Sequence, residues 1–344
     1  MASWNNIFSF FLFLLLLLPG RGESWVENDY EAPKLFVFGD SYVDTGNTIA
    51  GEPNGITYPG KPDGRHSDGR IFTDFLANYL GLKSPVPYEL RKLMMVQDLK
   101  YGMNFAFSGT GVFSNTSSNP NMTMQINFLE KVIRDKLFSG LDLNNSVAYV
   151  SSTGNDYVYY YFSENGTDFL PYIDSVIKQI ITNLIHIQRI GVKKIVVSSL
   201  HSLHCDPIFT ISDSFQQCNS TIHKLVVLHN KLLNEAVTKL NQERKLHIQI
   251  LDLYDSFMSV INNPSMYNIQ NPLRPCCDGV TKGYYCGTVV NNEKKYVVCD
   301  KPGSAFFFDS LHPTQAGWHA LFNKLQDVGI LNQIFYEGNG KASY

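Results

Sequence analysis

An apolar run from Ile7 to Leu18, broken only by Ser9, stands at the head of the chain. It is too short to span a bilayer and passes through Pro19, Gly20 and Gly22 into the polar Glu23 and Ser24, which predicts a signal peptide over residues 1–23. The start lacks the usual positive charge, so a retained signal anchor is the alternative. No second apolar run is long enough to cross a membrane, and no stable membrane insertion is expected once the signal is removed. Further on, short apolar runs alternate with helical spacing. Leu35 to Phe38, ending at Gly39, predicts a first strand; Met103–Phe107, Ser146–Ser151, Lys194–Ser199 and Ile248–Leu253 predict four more. Between them, Arg70–Leu80 puts Ile71, Phe75, Leu76 and Tyr79 on one helical face, after a Gly/Pro-rich loop from Gly51 to Gly69. Ile173–Ile190 predicts a long amphipathic helix closed by Gly191, Ser214–Arg244 a helix-like segment and Gln315–Gln326 a closing helix. This alternation predicts βαβ units and a parallel sheet covered on both faces, with residues 24–344 forming one α/β domain.

Composition changes this picture little. Hydrophobic residues make up 44% and charged residues 17%, a globular balance. A net charge of −3 supplies no basic stripe for nucleic acid, so no nucleic-acid partner is expected. The cysteines add more. Cys205, Cys218, Cys276, Cys277, Cys286 and Cys299 form an even set in the second half, which suits a disulfide framework in an exported protein. Adjacent Cys276 and Cys277 are expected to reach different partners, making Asn263–Pro302 a disulfide-held excursion. No CxxC spacing supports the competing zinc site. Sequons at Asn115, Asn121, Asn144, Asn165 and Asn219 predict glycosylation at some of these positions.

The candidate chemistry sits at strand ends, where open α/β sheets bind ligands. Phe38-Gly39-Asp40-Ser41 allows a tight bend that exposes a serine hydroxyl; a helix N-cap is the plainer reading. A serine nucleophile needs a base and an orienting acid. Asp309-Ser-Leu-His312 and Asp63-Gly-Arg-His66 both offer the spacing. The second lies in a charged Gly/Pro-rich loop and reads as chance; the first follows the apolar run Ala305–Phe308 and precedes Pro313 and a helix. Gly109 and Asn155, at the second and third strand ends, can join the Ser41 N–H in stabilising an oxyanion, although turn glycine and turn asparagine are common.

Taken together, these segments resemble the GDSL esterase/lipase family, or SGNH hydrolases, and within it the secreted plant branch. The matching blocks are Gly39-Asp40-Ser41-Tyr42-Val43-Asp44-Thr45-Gly46-Asn47, Gly102-Met-Asn104-Phe-Ala106-Phe-Ser-Gly109, Thr153-Gly154-Asn155-Asp156 and Asp309-Ser-Leu-His312-Pro313-Thr314-Gln-Ala-Gly317-Trp318. The resemblance runs from about Leu35 to the closing helix. It implies a flavodoxin-like three-layer α/β/α sandwich with a five-stranded parallel sheet, in agreement with the strand count above. It implies Ser41 as nucleophile, His312 as base, Asp309 as the residue orienting it, and Ser41, Gly109 and Asn155 as the oxyanion hole. Tyr42 departs from the family's usual Leu, and His201-Ser-Leu-His204-Cys205 from its PPLGC stretch. His201 and His204 could suggest a metal pair, but no third ligand stands at a convincing offset, and they read as surface or core histidines.

The expected activity is hydrolysis of small-molecule or lipid acyl esters through an acyl-enzyme on Ser41, outside the cell and without metal or organic cofactor. Acyl transfer through the same intermediate is the first alternative, and an inactive binding or defence protein on this fold the second. No GxSxG, HExxH or Walker A string competes. The family's substrates range from short acyl esters and acetylated sugars to lipids and cutin-like polymers.

Overall fold

The computed structural model describes residues 33–114, 117–152, 154–163 and 168–336. The expected signal peptide and the sequons at Asn115 and Asn165 lie outside the described residues, as does Thr153. The described residues form one compact unit. Strand β1 (Lys34–Gly39) is buried throughout and feeds both layers: Phe36 and Phe38 face one, Leu35 and Val37 the other. After a long loop come α1 (Phe72–Tyr79), β2 (Val86–Pro87), β3 (Gly102–Asn104), α2 (Met122–Arg134), α3 (Gly140–Asn144) and β4 (Ser146–Ser151). Then follow α4 (Asn155–Ser163), α5 (Phe169–Ile190), β5 (Lys194–Ser198), α6 (Pro207–Thr210), α7 (Ser220–Arg244), β6 (Ile248–Leu251) and α8 (Leu253–Asn262). The chain closes with α9 (Gln315–Asp327) and α10 (Ile330–Phe335).

The sheet order is β2-β3-β1-β4-β5-β6, with every pairing parallel. Helices α2, α5 and α7 cover one face, and α1, α8, α9 and α10 the other, which is the expected three-layer sandwich. The sheet has six strands rather than the expected five. The extra one, β2, has only two residues and ends in Pro87, which cannot donate to a ladder and so suits an edge. Two residues show no periodicity for a sequence pattern to reveal.

Other boundaries moved for local reasons. α7 starts at Ser220 instead of Ser214 because the Asn219 side chain accepts from the N–H groups of Thr221 and Ile222. The fifth predicted strand stops at Leu251, since Asp252 caps α8 by accepting from Asp255 N–H. Helices α2, α4 and α8 carried no sequence expectation. The three disulfides are Cys205–Cys218, Cys276–Cys299 and Cys277–Cys286, so the adjacent cysteines do reach different partners. The last two hold the excursion, in which β7 (Cys277–Gly279) pairs with β10 (Tyr296–Val298), and β8 (Val289–Val290) with β9 (Glu293–Lys294). Among the described residues no helix is long and apolar enough to cross a membrane.

The neighbours of β1, β3 and β4, both come later in the chain, so successive connections leave β1 in opposite directions. This strand-order reversal opens a crevice at the carboxyl end of β1, where Ser41 lies.

Candidate active site

Gly39 ends β1 with φ +147°, and a Cβ there would run into the Ser151 carbonyl of β4, so no other residue fits. Gln125 of α2 holds this glycine from both sides: its Oε1 accepts from Gly39 N–H at 2.8 Å and its Nε2 donates to Gly39 O at 2.9 Å. The chain then turns sharply, with Val43 and Asp44 N–H donating to Asp40 O at 3.1 and 3.0 Å. No helix begins at Ser41, which removes the N-cap reading; the next helix is α1.

His312 arrives from the far end of the chain. Phe308 N–H donates to His312 O at 2.6 Å, closing a short loop before Thr314 caps α9 by accepting from Gly317 N–H at 2.8 Å. Inside that loop, Asp309 Oδ1 accepts from the N–H groups of Leu311 and His312 at 2.9 and 2.8 Å. Its carboxylate also meets His312 Nδ1, at 2.8 Å from Oδ2. The opposite nitrogen, His312 Nε2, lies 2.8 Å from Ser41 Oγ. An Nδ1–H donated to the carboxylate leaves Nε2 free to accept the serine proton. Burial opposes the imidazolium, but the Asp309 charge and hydrogen bond, helped by Asp40 and Asp206, raise His312 above its ordinary pKa. For Asp309, burial acts upward, yet His312 and the two N–H groups outweigh it and hold the carboxyl low.

Asn155 opens α4 behind Gly154, which has φ +114°. Its Nδ2 donates to Thr110 O at 2.8 Å, which orients the amide and leaves its second N–H available. Ser41, Asn155 and His312 line one small cavity together. Gly109 is exposed, has φ +75° and is not among the residues lining it.

The sequence profile of GDSL-like lipases and acylhydrolases matches residues 35–325. The chain belongs to this family. A GDSL esterase/lipase of Arabidopsis thaliana is 46% identical over 312 residues, covering 87% of each chain. Another from the same plant is 44% identical over 308 residues, covering 85% of this chain and 87% of its own. An acetylxylan esterase from Geobacillus stearothermophilus aligns in structure with a TM-score of 0.41 at 14% identity, over 86% of this chain and 94% of that one. The protein is a carboxylic ester hydrolase of the GDSL class.

Against that family pattern, the departure at Tyr42 has a larger role than packing. Its hydroxyl donates to Leu311 O at 2.6 Å and lies 3.1 Å from His201 Nε2. His201 Nε2 in turn lies 2.9 Å from Asp206 Oδ2, within a fully buried pair. Burial pushes Asp206 up to about 6, although His201 pulls against it. The two suggested metal histidines are therefore core residues: His201 bonds Asp206, and His204 stacks on His223 at 4.6 Å. His204 does lie near Cys205 and Cys218, but both sulfurs are in the disulfide.

The Asp63–His66 spacing, read as chance, forms no pair, yet His66 itself reaches the site. Asp63 pairs with Arg65 instead, but the His66 ring sits 5.0 Å from the His312 ring. Burial and the neighbouring His312 lower His66 to about 4, so it stays neutral at pH 7. Its loop gave no sign of this contact, because the partner lies at the other end of the chain.

Two further residues of the GDSL motif lacked an assigned role. Asp44 accepts from the N–H groups of Gly46, Asn47, Thr48 and Ser108. Asn47 Nδ2 donates to Asn104 O and Ala106 O, at 2.9 and 2.8 Å. They join the nucleophile loop to the loop after β3. Of the sequons, Asn144 is exposed at the end of α3, while Asn121 and Asn219 are partly buried and cap α2 and α7.

Proposed function

We propose that this chain is a secreted serine esterase that hydrolyses acyl esters through an acyl-enzyme on Ser41. The observation that carries this reading is the unbroken relay from Ser41 Oγ through His312 to Asp309, with contacts of 2.8 and 2.8 Å. Ser41 attacks the ester carbonyl while His312 Nε2 takes its proton. Asp309 holds the ring in the required tautomer and steadies the imidazolium. The oxyanion takes hydrogen bonds from Ser41 N–H and from the second N–H of Asn155, while Gly109, the third donor the family pattern implies, lies outside the cavity that these two line. Gly109 neighbours Thr110, whose carbonyl orients the Asn155 amide. His312 then passes its proton to the leaving alcohol, activates water, and the acid departs.

Secretion rests on the apolar leader over residues 1–23, the three disulfides and the sequons of a single domain over 24–344. A fluorophosphonate probe tests the mechanism. Wild type should be labelled on Ser41 and Ser41→Ala should not, with hydrolysis falling on the order of 10⁶-fold in kcat. Equal labelling of both proteins would sink the reading.

A further inference from the structure

The relay holds His312 by its edges. Nδ1 meets Asp309 and Nε2 meets Ser41. These contacts fix where the nitrogens lie and leave the ring free to tilt about the line that joins them. The second contact also lapses during the reaction. Once Ser41 is acylated, its Oγ is an ester oxygen with no proton to donate. His312 must then take a proton from water with Asp309 as its remaining partner in the relay.

Two aromatic rings restrain the tilt. Tyr42 approaches at 5.8 Å and 60°, and His66 at 5.0 Å and 34°. The chain on both sides of His66 is pinned. Before it, Arg65 grips Asp74 of α1, with Nε 2.8 Å from Oδ2 and Nη2 2.7 Å from Oδ1. After it, Ser67 Oγ donates at 2.9 Å to the carbonyl of Pro313, the residue that follows His312. Asp68 Oδ1 accepts from Gln315 N–H at 2.7 Å, and Gln315 Oε1 accepts from Arg70 N–H at 2.9 Å. Residues 65–70 are thus strapped to the segment that carries the base. His66 Nε2 is buried and meets no hydrogen-bond partner among the described residues. The charged groups facing this ring are His312 and Asp309; burial and His312 outweigh Asp309 and keep it neutral, so it can lie beside an imidazolium without repelling it.

Resting on the hydrolase reading above, we propose that His66 is a positioning residue for deacylation, its flat ring holding the His312 imidazole against tilting while Ser41 carries the acyl group. In that step water attacks the acyl carbon and gives a proton to His312 Nε2. The bond from that carbon to Oγ then breaks, Oγ takes the proton, and the acid leaves.

The test uses the mature protein with p-nitrophenyl acetate, whose good leaving group makes deacylation the slow step. His66→Ala should lower kcat and KM together, each about tenfold, and leave kcat/KM within about twofold, because that ratio reports only the steps up to acylation. The burst of p-nitrophenolate that marks acylation should remain. His66→Phe keeps a flat ring and should stay within about twofold of wild type in both constants. Should thermal melting show that His66→Ala does not fold, His66→Leu fills the space without a flat ring and should give the same paired fall. Unchanged kcat and KM in the folded variant without the ring would overturn the proposal. So would a fall in kcat/KM as large as that in kcat, or a His66→Phe as slow as His66→Ala. A wild type that shows no burst and takes no fluorophosphonate label would overturn the esterase reading itself, an outcome separate from anything the His66 variants show.

Discussion

Tyr42 sits next to Ser41, the proposed nucleophile, and bonds the backbone next to His312, the proposed base. Its hydroxyl spans from the residue after Ser41 to the carbonyl of the residue before His312, at 2.6 Å. Tyr42→Phe keeps the ring and leaves the part-buried Leu311 carbonyl and the buried His201 short of a partner. An unmade buried hydrogen bond costs about 1–3 kcal/mol. Urea unfolding should show a loss of that size, and steady-state kinetics a fall in kcat of about tenfold with little change in KM. Unchanged kcat would mean that the link does not set the Ser41–His312 distance. Asp206 acts at longer range. It is anionic above about 6 and is among the charges that raise His312. A general base works only when neutral, so the acid limb of kcat/KM should lie above the ordinary histidine value of about 6.5. Asp206→Asn removes a negative charge that favours the imidazolium, so that limb should move to lower pH. A limb that stays put or moves upward counts against this role.

Among elements, the loop after β1 is organised by a single carboxylate. Asp44 receives four backbone N–H groups, three from its own loop and one from Ser108 after β3. Asp44→Ala orphans all of them, and hydrogen bonds to a charged acceptor contribute roughly 1.5–3 kcal/mol each. Thermal unfolding should show a loss of at least about 3 kcal/mol, and kcat should fall as the Ser41 turn loosens; an unaltered melting point would refute this account. Asp44 and Asn47 belong to a block that was plain in the sequence, so their presence was legible while their work was not. The strands β1, β4 and β5 were legible because their apolar runs are continuous and buried on both sides. Helix α4 was not, since its sequence, NDYVYYYFS, is aromatic all round and shows no clean apolar stripe. Asp309 and His312 were readable because they lie only three positions apart. His66 and Tyr42 meet His312, and His201 meets Tyr42, only after folding, and no spacing along the chain encodes such contacts.

On the scale of the whole molecule, the disulfides divide the labour. Cys205–Cys218 closes a span of 13 residues and clasps the segment that supplies Leu203 and Asp206 to the cavity. Loops of that size are stabilised by about 3 kcal/mol on the chain-entropy account. The double replacement Cys205→Ser with Cys218→Ser should lower stability by about 2–4 kcal/mol in urea; unchanged stability would show the clasp to be dispensable. The relay spans the molecule in another sense too. Ser41 and His312 are 271 residues apart in sequence, yet share a proton path of 2.8 Å. During N-to-C-terminal synthesis Ser41 leaves the ribosome 271 residues before His312. With the roles proposed above, the Ser41 hydroxyl stays unactivated until that later segment has emerged and folded.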